Sequence, residues 1–230
     1  MIIGIIGSGG REHAICAKIL ESKKVKKLYC FPGNAGTSLI ATNIKINIDD
    51  FDKIKEFVIK KKIDLLVVGP EKPLVNGIVD YFQNHNIKIF GPKKIASQLE
   101  GSKTFTKKIC EKYKIPTAKF AVLEDLQTAN LFLNKSNFPI VVKADGLAAG
   151  KGVYICENIK TAKKAVSEVF DGKFGIAKNV LIEEFLKGEE MSYFIVTDGK
   201  CIKKFPQIFS RIFFIPAVSS DLLNSYKLSK

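Results

Sequence analysis

Apolar residues in this chain come in short runs, set apart by polar stretches of a dozen or more positions. Ile2–Ile6, Leu28–Phe31, Leu65–Val68 and Ile87–Phe90 are the first four, and runs this short and continuous read as strands buried on both faces. Between them the apolar spacing changes to three and four. Phe51, Ile54 and Val58 share one face of FDKIKEFVIKKK, and Ile78, Val79 and Phe82 share one face of NGIVDYFQNHN, as amphipathic helices require. Strand alternating with helix predicts a parallel sheet with right-handed crossovers. The α/β reading is therefore a doubly wound domain ending near Gly91-Pro92.

The pattern then changes. KKIASQLEGSKTFTKKICEKYK predicts two helical pieces interrupted at Gly101, with Phe105, Ile109 and Tyr113 recurring every four residues in the second, and Pro116 stopping it. TAKFAVLED, FPIVVKAD, GVYIC, VLIEEFL and MSYFIVTDG read as strands, with helices around Thr128–Lys135 and Thr161–Phe170. Only a short glycine-rich loop separates FPIVVKAD from GVYIC. A link that short suits antiparallel neighbours, because parallel strands need a crossover of about a dozen residues. The second lobe is expected to be α+β.

Composition narrows the function classes. With 230 residues, 46% of them hydrophobic, the chain can bury more than one core. Its net charge is +14, but of 37 basic residues only Arg11 and Arg211 are arginines. Lysines spread along the whole chain, without interleaved aromatics, suit solvated faces and a general attraction for small anions rather than a nucleic-acid surface. No apolar stretch approaches the ~18–20 residues that span a bilayer. No basic segment precedes the first apolar run, so no secretory signal is expected. Cys16, Cys30, Cys110, Cys156 and Cys201 are scattered, which suits reduced, buried thiols in a cytoplasmic protein.

The opening IIGIIGSGGREHA resembles the start of a dinucleotide site, and the glycine count decides against one. Gly7 and Gly9 fit the Gly-x-Gly-x-x-Gly spacing, but the third place is Glu12, and no acid stands about twenty residues on. Two readings remain. Gly7–Gly10, the free N–H groups of the following helix and the Arg11 guanidinium form an anion site, or the segment is a tight turn without a ligand. The second strand runs into another glycine-rich loop, Pro32–Thr37. In VVGPEKPLVNG, Glu71 stands between two prolines on a stiff loop at the carboxyl edge of the sheet, where ligands bind. It could accept from hydroxyls or an amine, or belong to an ordinary turn.

KADGLAAGKGV carries the most chemistry. It lacks the spacing of a Walker loop, yet Gly146, Ala148, Ala149, Gly150 and Gly152 present backbone N–H groups without bulk, as a flap over a polyphosphate does. Lys143, at the end of the preceding strand, would point its charge at the same phosphates, and Lys151 lies in the loop. In VLIEEFLKGEE, backbone groups near Glu184–Leu186 could pair with adenine and Glu190 with ribose hydroxyls. Alone, this is an ordinary charged strand end.

GSGGREHA, PGNAGT, GPEKPLVNGIVD, FGPKKIASQLEGSKTFTK, KIPTA, VVKADGLAAGKGV and EEFLKGEE, in this order, closely resemble the phosphoribosylamine–glycine ligase (glycinamide ribonucleotide synthetase) family of the ATP-grasp superfamily, over residues 1–199. The resemblance implies ATP-driven activation of glycine to a glycyl phosphate and attack by the amine of 5-phosphoribosylamine, in purine biosynthesis. It implies that Gly9, Gly10, Arg11, Gly33, Asn34, Pro70 and Glu71 line the phosphoribosylamine side. Lys103, Lys143, Lys151 and the loop Gly146–Gly152, with Gly150 inside it, would hold the ATP phosphates, and Glu183, Glu184, Leu186 and Glu190 the adenosine. It also implies a pre-ATP-grasp domain over 1–100, a helical connector over 101–120, the ATP-grasp small lobe over 121–190 and the start of the large lobe over 191–230.

The departure lies after Gly199. There the family continues with Asp-His-Lys-Arg and Asn-Thr-Gly-Gly segments and, later, its magnesium-binding Glu and Asn. KCIKKFPQIFSRIFFIPAVSSDLLNSYKLSK holds Asp221 as its only carboxylate side chain, and its apolar strip IFSRIFFIPAV lacks an obvious partner. The expectation is a truncated or frame-shifted sequence with impaired turnover, without its own Mg²⁺ ligands, for which a second chain would supply the missing half; a divergent short form is the alternative. Another ATP-grasp ligase or carboxylase subunit, or a non-catalytic nucleotide-binding fragment, remains open.

Overall fold

The computed structural model describes residues 1–147, 151–175, 177–189, 191–197, 199–204 and 208–209, in two compact units, Met1–Gly101 and Ser102–Lys230. The first unit runs β1 (Ile2–Gly7), α1 (Gly10–Leu20), β2 (Lys27–Pro32), β3 (Thr42–Asn43), α2 (Phe51–Lys61), β4 (Leu65–Val68), α3 (Glu71–Val75), α4 (Ile78–Asn84), β5 (Ile89–Phe90) and α5 (Lys94–Gly101). Its strands form a parallel sheet in the order β3-β2-β1-β4-β5. The chain leaves β1 in one direction and returns to β4 on the other side, so a switch point opens between them.

Side chains alternate across this sheet, and both faces are covered. Ile3, Ile5, Leu28 and Cys30 pack with Cys16 of α1 on one face. Ile6, Phe31, Leu66 and Val68 meet Ile54 and Val58 of α2 and Ile78, Val79 and Phe82 of α4 on the other. That double cover is why the strands are apolar throughout. β3 carries only Thr and Asn, so no apolar signal announced it. The fourth expected strand shrinks to Ile89–Phe90. Glu71 is corrected from a stiff loop to the first residue of α3. Pro73 fits there because amides in a helix's first turn need no intrahelical acceptor.

The second unit runs α6 (Lys103–Lys112), β6 (Phe120–Leu123), α7 (Leu126–Leu133), β7 (Ile140–Ala144), β8 (Val153–Cys156), α8 (Ile159–Phe170), β9 (Val180–Glu184), β10 (Met191–Ser192), β11 (Ile195–Thr197), β12 (Ile202–Lys204) and β13 (Ile208–Phe209). Four of these strands make an antiparallel sheet in the order β6-β9-β7-β8, with β7–β8 the expected hairpin. Helices α7 and α8 start two residues ahead of the expected points because Asp125 and Asn158 accept from the amides of Thr128 (2.7 Å) and Thr161 (3.0 Å), ordinary N-caps. The helices cover one sheet face, packing Ala129, Leu133, Val166 and Val169 on Ile140, Val142, Val180 and Ile182.

Three further expectations change. In α6 the buried positions are Thr104, Thr106, Lys107 and Cys110, while Tyr113 of the apolar repeat is 62% exposed. MSYFIVTDG is two short strands, β10 and β11, which pair with β13 and β12. Cys201 is exposed, whereas Cys16, Cys30, Cys110 and Cys156 are buried free thiols. The apolar strip beyond Phe209 lies outside the described residues. Among those described, no helix is long and apolar enough to cross a membrane.

Candidate functional site

In the first unit, the carboxyl ends of β1, β2 and β4 bring the expected substrate residues to one edge. Gly33 N donates to Gly7 O (3.1 Å) and Gly69 N to Ile6 O (3.0 Å), which fixes the three strand ends side by side. Asn34 then reaches across. Its Nδ2 donates to Ser8 O (2.8 Å) and Gly9 O (3.1 Å), and its backbone carbonyl accepts from Asn43 Nδ2 (2.7 Å) and Thr37 Oγ1 (2.9 Å). The PGNAGT loop is thereby pinned over the first turn. Pro70 precedes α3, and Arg11 Nη2 meets Glu71 Oε1 at 2.7 Å. Gly9, Gly10, Arg11, Gly33, Asn34, Pro70 and Glu71 therefore share one cluster.

Its chemistry differs from the bare anion cradle expected of it. Glu12 is 3% exposed, and its Oε2 takes the N–H of Gly9 at 2.5 Å. A carboxylate thus occupies the positive end of α1, where a phosphate was expected. Gly7, at φ +129, lies so close to Glu12 that a Cβ would come within 2.6 Å of its Cγ. Arg11 is likewise engaged by Glu71 rather than open. The cluster balances one guanidinium against two carboxylates, an arrangement suited to hydroxyls and amines as much as to phosphate.

In the second unit the candidate residues Lys143 and Glu183 lie on the sheet face opposite α7 and α8. Opposed residues of an antiparallel pair point the same way, so the register puts Phe120, Glu183, Val141 and Ile155 in one row and Val122, Leu181, Lys143 and Val153 in the next. Val153 and Ile155 are 45% and 59% exposed. On this apolar surface Lys143 Nζ meets Glu183 Oε2 at 2.9 Å, and Lys107 Nζ approaches the same oxygen at 3.4 Å. Glu183 is 5% exposed, so its side chain serves these lysines rather than standing open to a ligand.

The glycine-rich loop is anchored at both ends. Lys103 Nζ donates to Ala144 O (2.9 Å) and Gly146 O (3.0 Å). Asp145 accepts from Ser102 Oγ (3.2 Å), Thr104 N (3.2 Å) and Gly146 N (3.0 Å), tying the start of α6 to the loop. Ala144 N closes the other end on Gly152 O at 2.8 Å. Lys151 and Leu147 are exposed; Ala148, Ala149 and Gly150 lie outside the described residues, as does Glu190. β9 is internal, which corrects the expected open edge at Glu184: its N–H donates to Lys119 O (2.9 Å) and its Oε1 accepts from Lys119 N (2.9 Å). Past the strand end, toward Leu186, which is 51% exposed, no backbone hydrogen bond is made among the described residues.

Sequence reasoning missed Glu12, Asp145 and Lys107. Glu12 counted only as a failed glycine, and Lys107 sat outside the apolar stripe of α6. Asp145 had a signal that was passed over, since an acid directly before Gly146 is a common way to hold a turn.

Residues 1–100 match the family model described as phosphoribosylglycinamide synthetase, N domain, and residues 101–213 the one described as its ATP-grasp (A) domain. The phosphoribosylamine–glycine ligase of Clostridium acetobutylicum is 48% identical over 210 residues, 89% of this chain and 50% of that protein. The crystal structure of the phosphoribosylamine–glycine ligase of Thermotoga maritima superposes with a TM-score of 0.73 at 32% identity, covering 90% of this chain and 49% of that one. The biotin carboxylase domain of Hydrogenobacter thermophilus 2-oxoglutarate carboxylase gives a TM-score of 0.71 at 16% identity, covering 90% and 49%, a likeness of fold alone. The chain spans about half the length of the curated relatives it matches.

Proposed function

We propose a function from one premise: the chain belongs to the phosphoribosylglycinamide synthetase family. It takes part in joining glycine to 5-phosphoribosylamine at the expense of ATP. The glycine carboxylate attacks the γ-phosphorus, ADP leaves, and a glycyl phosphate forms. The amine then attacks the acyl carbon, phosphate leaves, and the amide of glycinamide ribonucleotide results. Activation supplies the leaving group, so the protein's work is positioning and charge neutralisation.

The observation that carries this reading is Lys143, a partly exposed ammonium near exposed Val153 and Ile155 and a small-residue loop braced by Lys103. Val153 and Ile155 receive the adenine ring, backbone next to Leu186 takes its edge, and Glu190 the ribose. Lys143, Lys151 and the loop Gly146–Gly152, with Gly150 inside it, take the phosphates, the Gly146 amide itself being held by Asp145. In the first unit, Glu71 accepts from the amine or a hydroxyl, releasing Arg11 toward the phosphate of phosphoribosylamine, while Asn34 and the Gly9-Gly10 backbone frame the sugar. The finer division into a connector over 101–120, a small lobe over 121–190 and the start of a large lobe over 191–230 belongs to the same reading.

Mg²⁺ is expected of the family, but the described residues bring together no group of three or more His, Cys, Asp or Glu that could hold it. No step is therefore routed through the ion. The part of the relatives that lies beyond this span completes the reaction. The test mixes this chain with the C-terminal half of the Clostridium acetobutylicum ligase and follows ADP release. Release that requires the mixture, glycine and 5-phosphoribosylamine together supports the proposal. Release that ignores either substrate, or none at all, contradicts it.

A further inference from the structure

Lys107 is 2% exposed and takes no part in the roles assigned so far. Burying an ammonium is costly unless it is fully paired, and lysine has a stem long enough to reach water. This one turns inward. Its Nζ donates to Thr117 Oγ1 (2.5 Å) and Ala118 O (3.5 Å), lies 5.6 Å from the centre of the Phe120 ring, and stands 3.4 Å from Glu183 Oε2. The same oxygen holds Lys143 at 2.9 Å, and the Lys143 side chain is 23% exposed. One carboxylate thus joins two ammoniums on the same side of the sheet, Lys107 sealed from solvent and Lys143 reachable.

That asymmetry has a consequence for a phosphate arriving at Lys143. Without Lys107, Glu183 would neutralise Lys143, and moving Lys143 toward a ligand would strand a buried carboxylate without a counter-charge, the expensive event in breaking a buried pair. With Lys107 in place, Glu183 retains a cation whichever way Lys143 turns. Among the described residues Glu183 Oε1 is buried with no hydrogen-bond partner, so the carboxylate has an acceptor in reserve.

We infer that Lys107 is a positioning residue for the nucleotide phosphates, acting through Glu183 to leave Lys143 charged and movable. It touches no ligand itself. The inference rests on the proposed nucleotide site and adds to it a residue that sets the site's charge.

The test titrates the chain with ADP in a calorimeter, without metal, for the wild type, Lys107→Met, Glu183→Gln and the double variant, and records their melting temperatures. Methionine keeps the buried stem and removes the charge. Losing one nearby charge weakens ADP binding about tenfold in Lys107→Met, with a melting temperature equal to or above that of the wild type. Glu183→Gln in the same chain restores most of the lost affinity, because the carboxylate that would immobilise Lys143 is gone; a merely structural lysine would not be rescued this way. Wild-type affinity in Lys107→Met overturns the inference alone. So does a loss of affinity that follows the melting temperature down and is not recovered in the double variant. A wild-type chain that takes up no ADP overturns it together with the proposed site.

Discussion

Glu12 and Gly69 interlock: a Cβ placed on residue 69 would overlap Glu12 Oε1. The carboxylate of Glu12 fills the gap between the ends of β1 and β4, and the missing side chains at Gly7 and Gly69 make room for it. This is what the third position of the broken glycine pattern does.

Two substitutions test that fit. Gly69→Ala forces the methyl against Glu12 and should lower stability by about 1–3 kcal/mol, the usual cost of overpacking. In Glu12→Ala the same methyl has space, so Gly69→Ala should cost less there. Denaturant unfolding of the four chains measures the coupling. Additive losses would mean the two positions do not share the gap.

Arg11 and Glu71 should separate binding from stability. Their side chains are 41% and 29% exposed, and such a surface pair contributes about 0–1 kcal/mol. Glu71→Gln should therefore leave the melting temperature nearly unchanged while weakening ribose 5-phosphate, read by calorimetry. Equal binding in the variant would remove Glu71 from the substrate cluster.

Lys103 braces the loop through two carbonyls. Lys103→Met should leave Ala144 O and Gly146 O without that donor, speed amide hydrogen exchange over residues 145–152, and weaken ADP about tenfold by removing a preorganised cation. Unchanged exchange would show that Asp145 holds the loop by itself.

Alkaline stability should follow Cys30. Burial, and next the hydrogen bond with Cys16, push its thiol from the ordinary 9.0 up to about 12. Folding favours the protonated thiol, so its contribution is complete below pH 9 and is lost as pH rises toward 12. The denaturation midpoint should fall across that window, and less steeply in Cys30→Ala. Thiol reagents at neutral pH should reach exposed Cys201 well before the buried four.

Much of this architecture was legible in the sequence because burial writes itself into spacing. The sheet of the first unit covers both faces, so Ile2–Ile6 and Leu65–Val68 read as unbroken apolar runs. The β7–β8 hairpin followed from a link too short for a crossover. What stayed hidden has physical causes. Thr42–Asn43 is a polar edge strand, invisible to a hydrophobic pattern. Periodicity placed α6 by its apolar stripe, whereas a buried ion pair turned Lys107 inward. Side-chain pairing across distant segments, Arg11 with Glu71 or Lys143 with Glu183, depends on strand order, which spacing alone does not encode. Seven family-like segments located the candidate residues, while the structure changed the state of several: Arg11 engaged, Glu183 sealed, the Glu184 amide already bonded.

The most direct measurement is an NMR titration of the wild-type chain with ADP, following backbone and lysine side-chain signals. The account predicts saturable shifts at Lys143, Val153, Ile155 and Leu186, with residues 32–34 of the first unit unmoved. Shifts confined to those first-unit loops, or none at any ADP concentration, would contradict it.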